Sequence, residues 1–145
     1  KAARHLSISQ YQAARQMLLM ASFLQYMLPG MPSLYYGDEA GMEGYKDPFN
    51  RRTYPWGQED PILLGLYRSL GMLRKEQPAL RLGDVRFFQA GDGKIGFIRS
   101  YEGKSVKIYV NQSSNHWEIP EGNVLMSHWL QNQSIAPGGF CIMED

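Results

Sequence analysis

The stretch Pro29–Met42, PGMPSLYYGDEAGM, decides how the rest of the chain is read. It opens on turn chemistry, because Pro29 and Gly30 stop whatever helix precedes them. Ser33–Tyr36 follows, a short apolar run with two tyrosines, bounded by Pro32 and Gly37. Such a run predicts a fully buried strand. It delivers two adjacent carboxylates, Asp38 and Glu39, to a glycine-punctuated loop. A buried strand needs a sheet around it, and the flanking segments must supply one.

Upstream, Ser7 followed by Gln10 has capping-box spacing and predicts a helix from Ile8 to Leu28. From Ala13 onward its apolar residues fall on nearly every face, a pattern that predicts burial on most sides. Downstream, Gly37 to Glu59 is long, irregular and rich in Gly, Pro, Asp and Arg. Loops of that length are usually functional or disordered, and Tyr45, Phe49, Tyr54 and Trp56 argue against disorder.

Asp60-Pro61 is a cap followed by proline at the first helical position. Leu63, Leu66, Tyr67, Leu70 and Leu73 then repeat at helical spacing, and the helix ends before Pro78. From about Gly83 the period changes to two. Strands are predicted at Asp84–Ala90, Ile95–Tyr101, Val106–Val110, Val124–Leu130 and Gly139–Met143, with hairpin turns at Asp92-Gly93 and Glu102-Gly103. The order is helix, strand, long loop, helix, then a small all-β unit, divided near Gln77–Gly83. One strand with two helices cannot close a core, so the first part reads as the end of a larger α/β structure.

Composition narrows the function. The 145 residues suit about one domain, and the net charge of +1 provides no long-range field for nucleic acid or an acidic membrane. Met17–Leu28, the longest apolar run, is interrupted by Ser22 and Gln25 and falls short of the ~20 residues a membrane span needs. The first ten residues, KAARHLSISQ, carry no signal-peptide core, which favours a cytoplasmic location. Cys141 is the one cysteine, expected as a small buried apolar residue with no disulfide. His116 and His128 have no Cys or acidic partner at ligand spacing, so neither metal nor cofactor is expected. The sequons at Asn111 and Asn132 are common by chance and carry little weight.

LPGMPSLYYGDEAGMEG, then KDPFNRRTYPW, resembles the region around the eighth barrel strand of the α-amylase superfamily. The DPFNRR loop followed by PW is most similar to the cyclomaltodextrinase/neopullulanase branch. KSVKIYVNQSS and APGGFCIM resemble the C-terminal β-sandwich of the same family. The resemblance implies an α+β chain in two parts. Residues 1–80 would be the C-terminal part of a catalytic (β/α)8 TIM barrel: helix seven, strand eight and helix eight. Residues 81–145 would be a small antiparallel β-sandwich.

In such barrels the reacting groups sit on loops at the C-terminal ends of the strands. Gly37–Gln58 would then be one wall of a sugar cleft. The implied chemistry is retaining cleavage or transfer of α-1,4 and α-1,6 glucosidic bonds in maltodextrins or cyclodextrins, by two carboxyls about 5–5.5 Å apart. The family carries its acidic residues on the loops after strands four, five and seven. None of those loops lies in this chain, and no Asn-His-Asp motif surrounds His5, which sits between Arg4 and Leu6. The expectation is a C-terminal fragment without catalytic residues, inactive alone.

Within the loop, Asp47 and Arg51 match the family positions that contact a glucose unit of an α-glucan oligosaccharide. A carboxylate accepts from vicinal hydroxyls while a guanidinium donates to others and fixes the carboxylate. The bland alternative is a solvated ion pair worth ~0–1 kcal/mol. Cut off from the opposite wall, the two residues are not expected to hold maltotriose. Arg52, Tyr54 and Trp56 either form a stacking platform or pin the loop. Glu39 is expected to brace the loop. On an extended strand Asp38 and Glu39 face opposite ways and cannot form an acid/base pair. Tyr35 and Tyr36 would fill the barrel interior and its helix interface, and Trp117 and Trp129 read as core or edge packing. Two other functions stay open: a carbohydrate-binding module, and a structural partner derived from a non-catalytic superfamily member. A helix cut from its barrel neighbours would expose apolar surface and drive self-association.

Overall fold

The computed structural model describes residues 5–145; the first four residues of the expected 1–80 segment lie outside the described residues. Helix α1 runs Ile8–Met27. It starts where Gln10 N donates to Ser7 Oγ at 3.3 Å and Ser7 N donates back to Gln10 Oε1 at 2.9 Å. Helix α2, Pro61–Glu76, starts at Asp60, whose Oδ1 accepts from Ile62 N at 2.9 Å and Leu63 N at 3.1 Å. A short α3, Pro78–Leu82, follows at once, with Pro78 at the helical position that suits proline.

Six strands follow: β1 Asp84–Gly91, β2 Lys94–Tyr101, β3 Lys104–Asn111, β4 Trp117–Glu118, β5 Val124–Gln131 and β6 Ser134–Glu144. Asp92-Gly93 has φ of 52° and 71°, and Glu102-Gly103 has 48° and 78°. Two successive left-handed residues twist with the strands, so β1–β2–β3 is a meander of tight hairpins.

The strands of the expected antiparallel β-sandwich are hydrogen-bonded into one six-stranded antiparallel set, ordered β1-β2-β3-β6-β4 with β5 also on β6. Strand β6 is the reason. Its 11 residues pair with β3 through Phe140–Glu144 and with β4 through Ser134 and Ile135, while β5 follows it from Ser134 to Met143.

The pleat sorts the two faces. Phe97, Val106, Ile108, Val110, Phe140 and Ile142 join Leu19, Phe23 and Met27 of α1, Leu63, Leu70 and Leu73 of α2 and Leu80 of α3 in one core. This core crosses the junction between the helical and β portions of the chain. The opposite face carries a smaller cluster of Tyr109, Ile119, Ile135, Cys141 and Met143. Burial pushes the Cys141 thiol up to about 12.

Two buried guanidiniums finish the C-terminal end of α1. Arg99, from the inner face of β2, donates to Met27 O at 2.7 Å, Gly83 O at 2.8 Å and Asp84 O at 3.2 Å. Arg74 of α2 donates to the Tyr26 and Gly30 carbonyls, and to Leu28 O at 3.4 Å. Cations suit a helix C-terminus, where carbonyls lack intrahelical donors.

Two expectations are corrected here. Ser33–Tyr36 is not a strand: Ser33–Tyr35 is irregular and Tyr36 begins a run of turns. A ladder needs a neighbouring strand, and none lies beside this segment among the described residues. Tyr35 and Tyr36 consequently stand exposed. Helix α1 is also not buried on most sides. Only Leu19, Ser22, Phe23 and Met27 are buried, while Met17, Ala13, Ala14 and Ala21 face outward. No helix among the described residues is long and apolar enough to cross a membrane.

Candidate functional site

The loop between α1 and α2 carries every residue singled out by the motif. Its first part is a succession of tight turns: Asp38 N donates to Tyr35 O, and Ala40 N and Met42 N both donate to Gly37 O. Gly37 and Gly41 have φ of 96° and 72°, the conformations that make these turns. Asp38 and Glu39 therefore sit in turns, not on an extended strand. Glu39 Oε2 accepts from Gly37 N at 2.9 Å. Burial, then the neighbouring Glu39 charge, raises the Asp38 carboxyl above its usual value.

Further on, Asp47 and Arg51, four residues apart across a run of turns, meet with Arg51 Nε 2.9 Å from Asp47 Oδ1. Their side chains are 62% and 70% exposed, so both keep hydrogen-bonding capacity for a solute. Asn50 Oδ1, between them in sequence, is a buried acceptor without a donor.

Arg52 lays its guanidinium over the Tyr45 ring at 5.4 Å, and its carbonyl accepts from Tyr36 Oη at 2.9 Å. Tyr54 and Trp56 pack as tilted rings 4.6 Å apart, and Trp56 is 82% exposed. These contacts pin the loop onto itself while leaving the outer faces of Arg51 and Trp56 to solvent. Arg52 also lines a cleft of about 340 Å³ with Tyr11, Met42, Glu43, Gln58 and Asp60.

A polar knot not anticipated from the sequence anchors the loop. Asp60 Oδ2 accepts from Tyr11 Oη at 2.8 Å and from Arg15 Nη1 at 3.1 Å, and Asp60 N donates to Ala40 O. Burial pushes the Asp60 carboxyl up, but the hydrogen bonds from Leu63 N, Tyr11, Arg15 and Ile62 N outweigh it and hold the group below its usual value. Burial and the bond to Asp60 push Tyr11 up to about 12. Tyr11 and Arg15 lie four apart on α1, which is the signal that could have marked them as one face. Among the described residues no group of three or more His, Cys, Asp or Glu could hold a metal ion.

No family model matches the chain. It is 36% identical over 119 residues to the amylopullulanase of Thermoanaerobacterium thermosulfurigenes, covering 74% of this chain and 6% of that enzyme. It is 34% identical over 113 residues to the cyclomaltodextrinase of Thermoanaerobacter pseudethanolicus, covering 77% of this chain and 19% of that one. The debranching enzyme of Nostoc punctiforme superposes on 99% of this chain over 34% of its own, with a TM-score of 0.81 and 22% identity, a likeness of fold.

The fold is thus a small α+β piece, mostly antiparallel sheet, like the C-terminal domains of α-amylase-family enzymes. The chain belongs to the α-amylase family, as a partial chain. It spans 6% and 19% of the two curated relatives.

Proposed function

We propose that this chain is the closing part of the catalytic barrel, with the β region that follows, of an α-glucan-active retaining glycoside hydrolase or transglycosidase. The observation that carries this reading is the exposed Asp47–Arg51 pair at 2.9 Å, in a chain homologous to an amylopullulanase and a cyclomaltodextrinase. In the complete protein the pair would contact a glucose unit, the carboxylate accepting from vicinal hydroxyls and the guanidinium donating to a third. The turns at Tyr36–Gly41 and the outward apolar flank of α1 fit a piece whose remaining barrel neighbours come from elsewhere in the protein. The bond-breaking carboxyls would come from there too.

The 145-residue chain should give no turnover of a nitrophenyl maltoside, and robust turnover would overturn this assignment. In the full-length protein, Asp47→Ala should lower kcat/KM about tenfold to a hundredfold, the loss expected for hydrogen bonds to a charged group. An unchanged kcat/KM would remove Asp47 from the cleft.

A further inference from the structure

The helix-facing side of the sheet carries a ring stack that the proposed sugar cleft does not use. Phe23 of α1 stacks on Phe140 of β6 with centroids 4.2 Å apart at 18°. Phe140 stacks on His128 of β5 at 5.2 Å and 23°, and His128 on Trp129 at 4.9 Å and 22°. The stack begins in the fully buried core and ends at Trp129, which is 51% exposed.

Successive residues of a strand point to opposite faces, so His128 and Trp129 should not touch by their faces. They do because a bulge between His128 and Leu130 leaves Trp129 out of the ladder, with φ of 52°. That conformation disfavours any bulky residue, and a bulge is a common device for re-aiming a side chain. The surroundings hold the ring there. A Cβ at Gly138 would lie 2.9 Å from the Trp129 ring. Gln16 of α1 donates through Nε2 to Gly138 O at 2.9 Å and accepts at Oε1 from His128 Nε2 at 3.1 Å.

Beside the ring lies a cleft of about 590 Å³ lined also by His116, Gln131, Asn132 and Ser134. Ser134 Oγ donates to Glu118 Oε1, so it accepts from His116 Nδ1 at 3.2 Å. The other imidazole nitrogen of His116 is a further hydrogen-bonding group, and the Gln131 and Asn132 amides offer both donors and acceptors. A rigid aromatic plate beside neutral hydrogen-bonding groups of both kinds suits a pyranose, which has an apolar C–H face and a rim of hydroxyls. No Lys or Arg lines the cleft, and Glu118 is bonded to Ser134, which disfavours an anionic ligand.

We propose that Trp129 and its cleft form a second carbohydrate site, away from Asp47 and Arg51, that takes a glucosyl segment against the outer face of the indole. The choice of α-glucan among sugars rests on the function proposed above. The test is calorimetric titration of the chain with maltoheptaose and with cellohexaose, using wild type, Trp129→Gly and Asp47→Ala. Glycine suits a left-handed bulge, so Trp129→Gly should fold and melt no lower than wild type.

Expected are maltoheptaose binding weakened at least tenfold by Trp129→Gly and binding unchanged by Asp47→Ala. Cellohexaose binding that Trp129→Gly abolishes, with no maltoheptaose binding, would uphold the site and count against an α-glucan parent. No binding of either sugar, or equal binding by wild type and Trp129→Gly, would overturn the site. Binding lost in Asp47→Ala alone would overturn it while supporting the loop cleft.

Discussion

Replacing Arg99 by Met tests how the helical and β portions are joined. Arg99 is 1% exposed, and its three acceptors come from the end of α1, the end of α3 and the start of β1. Methionine fills much of the same volume but donates nothing. The Met27 carbonyl bond is buried, and the bonds to Gly83 and Asp84 are partly buried. An unsatisfied buried carbonyl costs about 1–3 kcal/mol, and the two partly buried ones recover some of that from water. Removing a desolvated cation gives part of it back, since burial and then the charge of Arg74 already lower the Arg99 pKa. The net loss should be about 3 kcal/mol, roughly 6–12 °C in Tm for a chain of this size. Urea unfolding followed by circular dichroism measures it. Because Arg74 and Arg99 repel, each single variant relieves the same repulsion, so the double variant Arg74→Met/Arg99→Met should lose more than the sum of the two single variants. An Arg99→Met protein within about 1 kcal/mol of wild type would refute the reasoning, since it would mean that burying the cation costs as much as its hydrogen bonds return.

Asp60→Ala should cost about 2–3 kcal/mol, from the lost α2 cap and the stranded Tyr11 and Arg15 donors, read by the same unfolding curves. Burial lowers the His128 pKa from its ordinary 6.5, so the unfolded chain binds this proton more readily. Stability should therefore fall as pH drops below about 6.5 towards the depressed folded value, and His128→Gln should flatten that slope in thermal melts. Asp60, held low, contributes stability above the ordinary 3.8 that is lost as pH falls through its folded value. The outward apolar flank of α1, with Met17 62% exposed, should drive concentration-dependent association and ANS binding, both weakened by Met17→Lys. A monomer that binds no dye would contradict this.

What could be read without coordinates was local chemistry. Ser7 with Gln10, Asp60-Pro61, Asp92-Gly93 and Glu102-Gly103 each carry their own hydrogen-bond or φ requirement, so each predicted a boundary that the structure places within a residue or two. The motif around Pro29–Trp56 likewise led to the family that the homologues confirm. Even Arg99 left a trace, since it shares the inward parity of Ile95 and Phe97 in KIGFIRSY. Tertiary structure decided the rest. Ser33–Tyr36 has the composition of a strand, but a strand exists only beside another, and none lies next to it here. The turn at Asn132-Gln133, with φ of 47° and 58°, lacks the glycine that marked the other hairpins. The Trp129 bulge and the Asp60 knot depend on side chains up to 122 residues apart, such as Gln16 bonding to Gly138. Local sequence states what each segment can do with itself; which partners relieve its unpaired groups and cover its apolar faces is set only when distant segments meet.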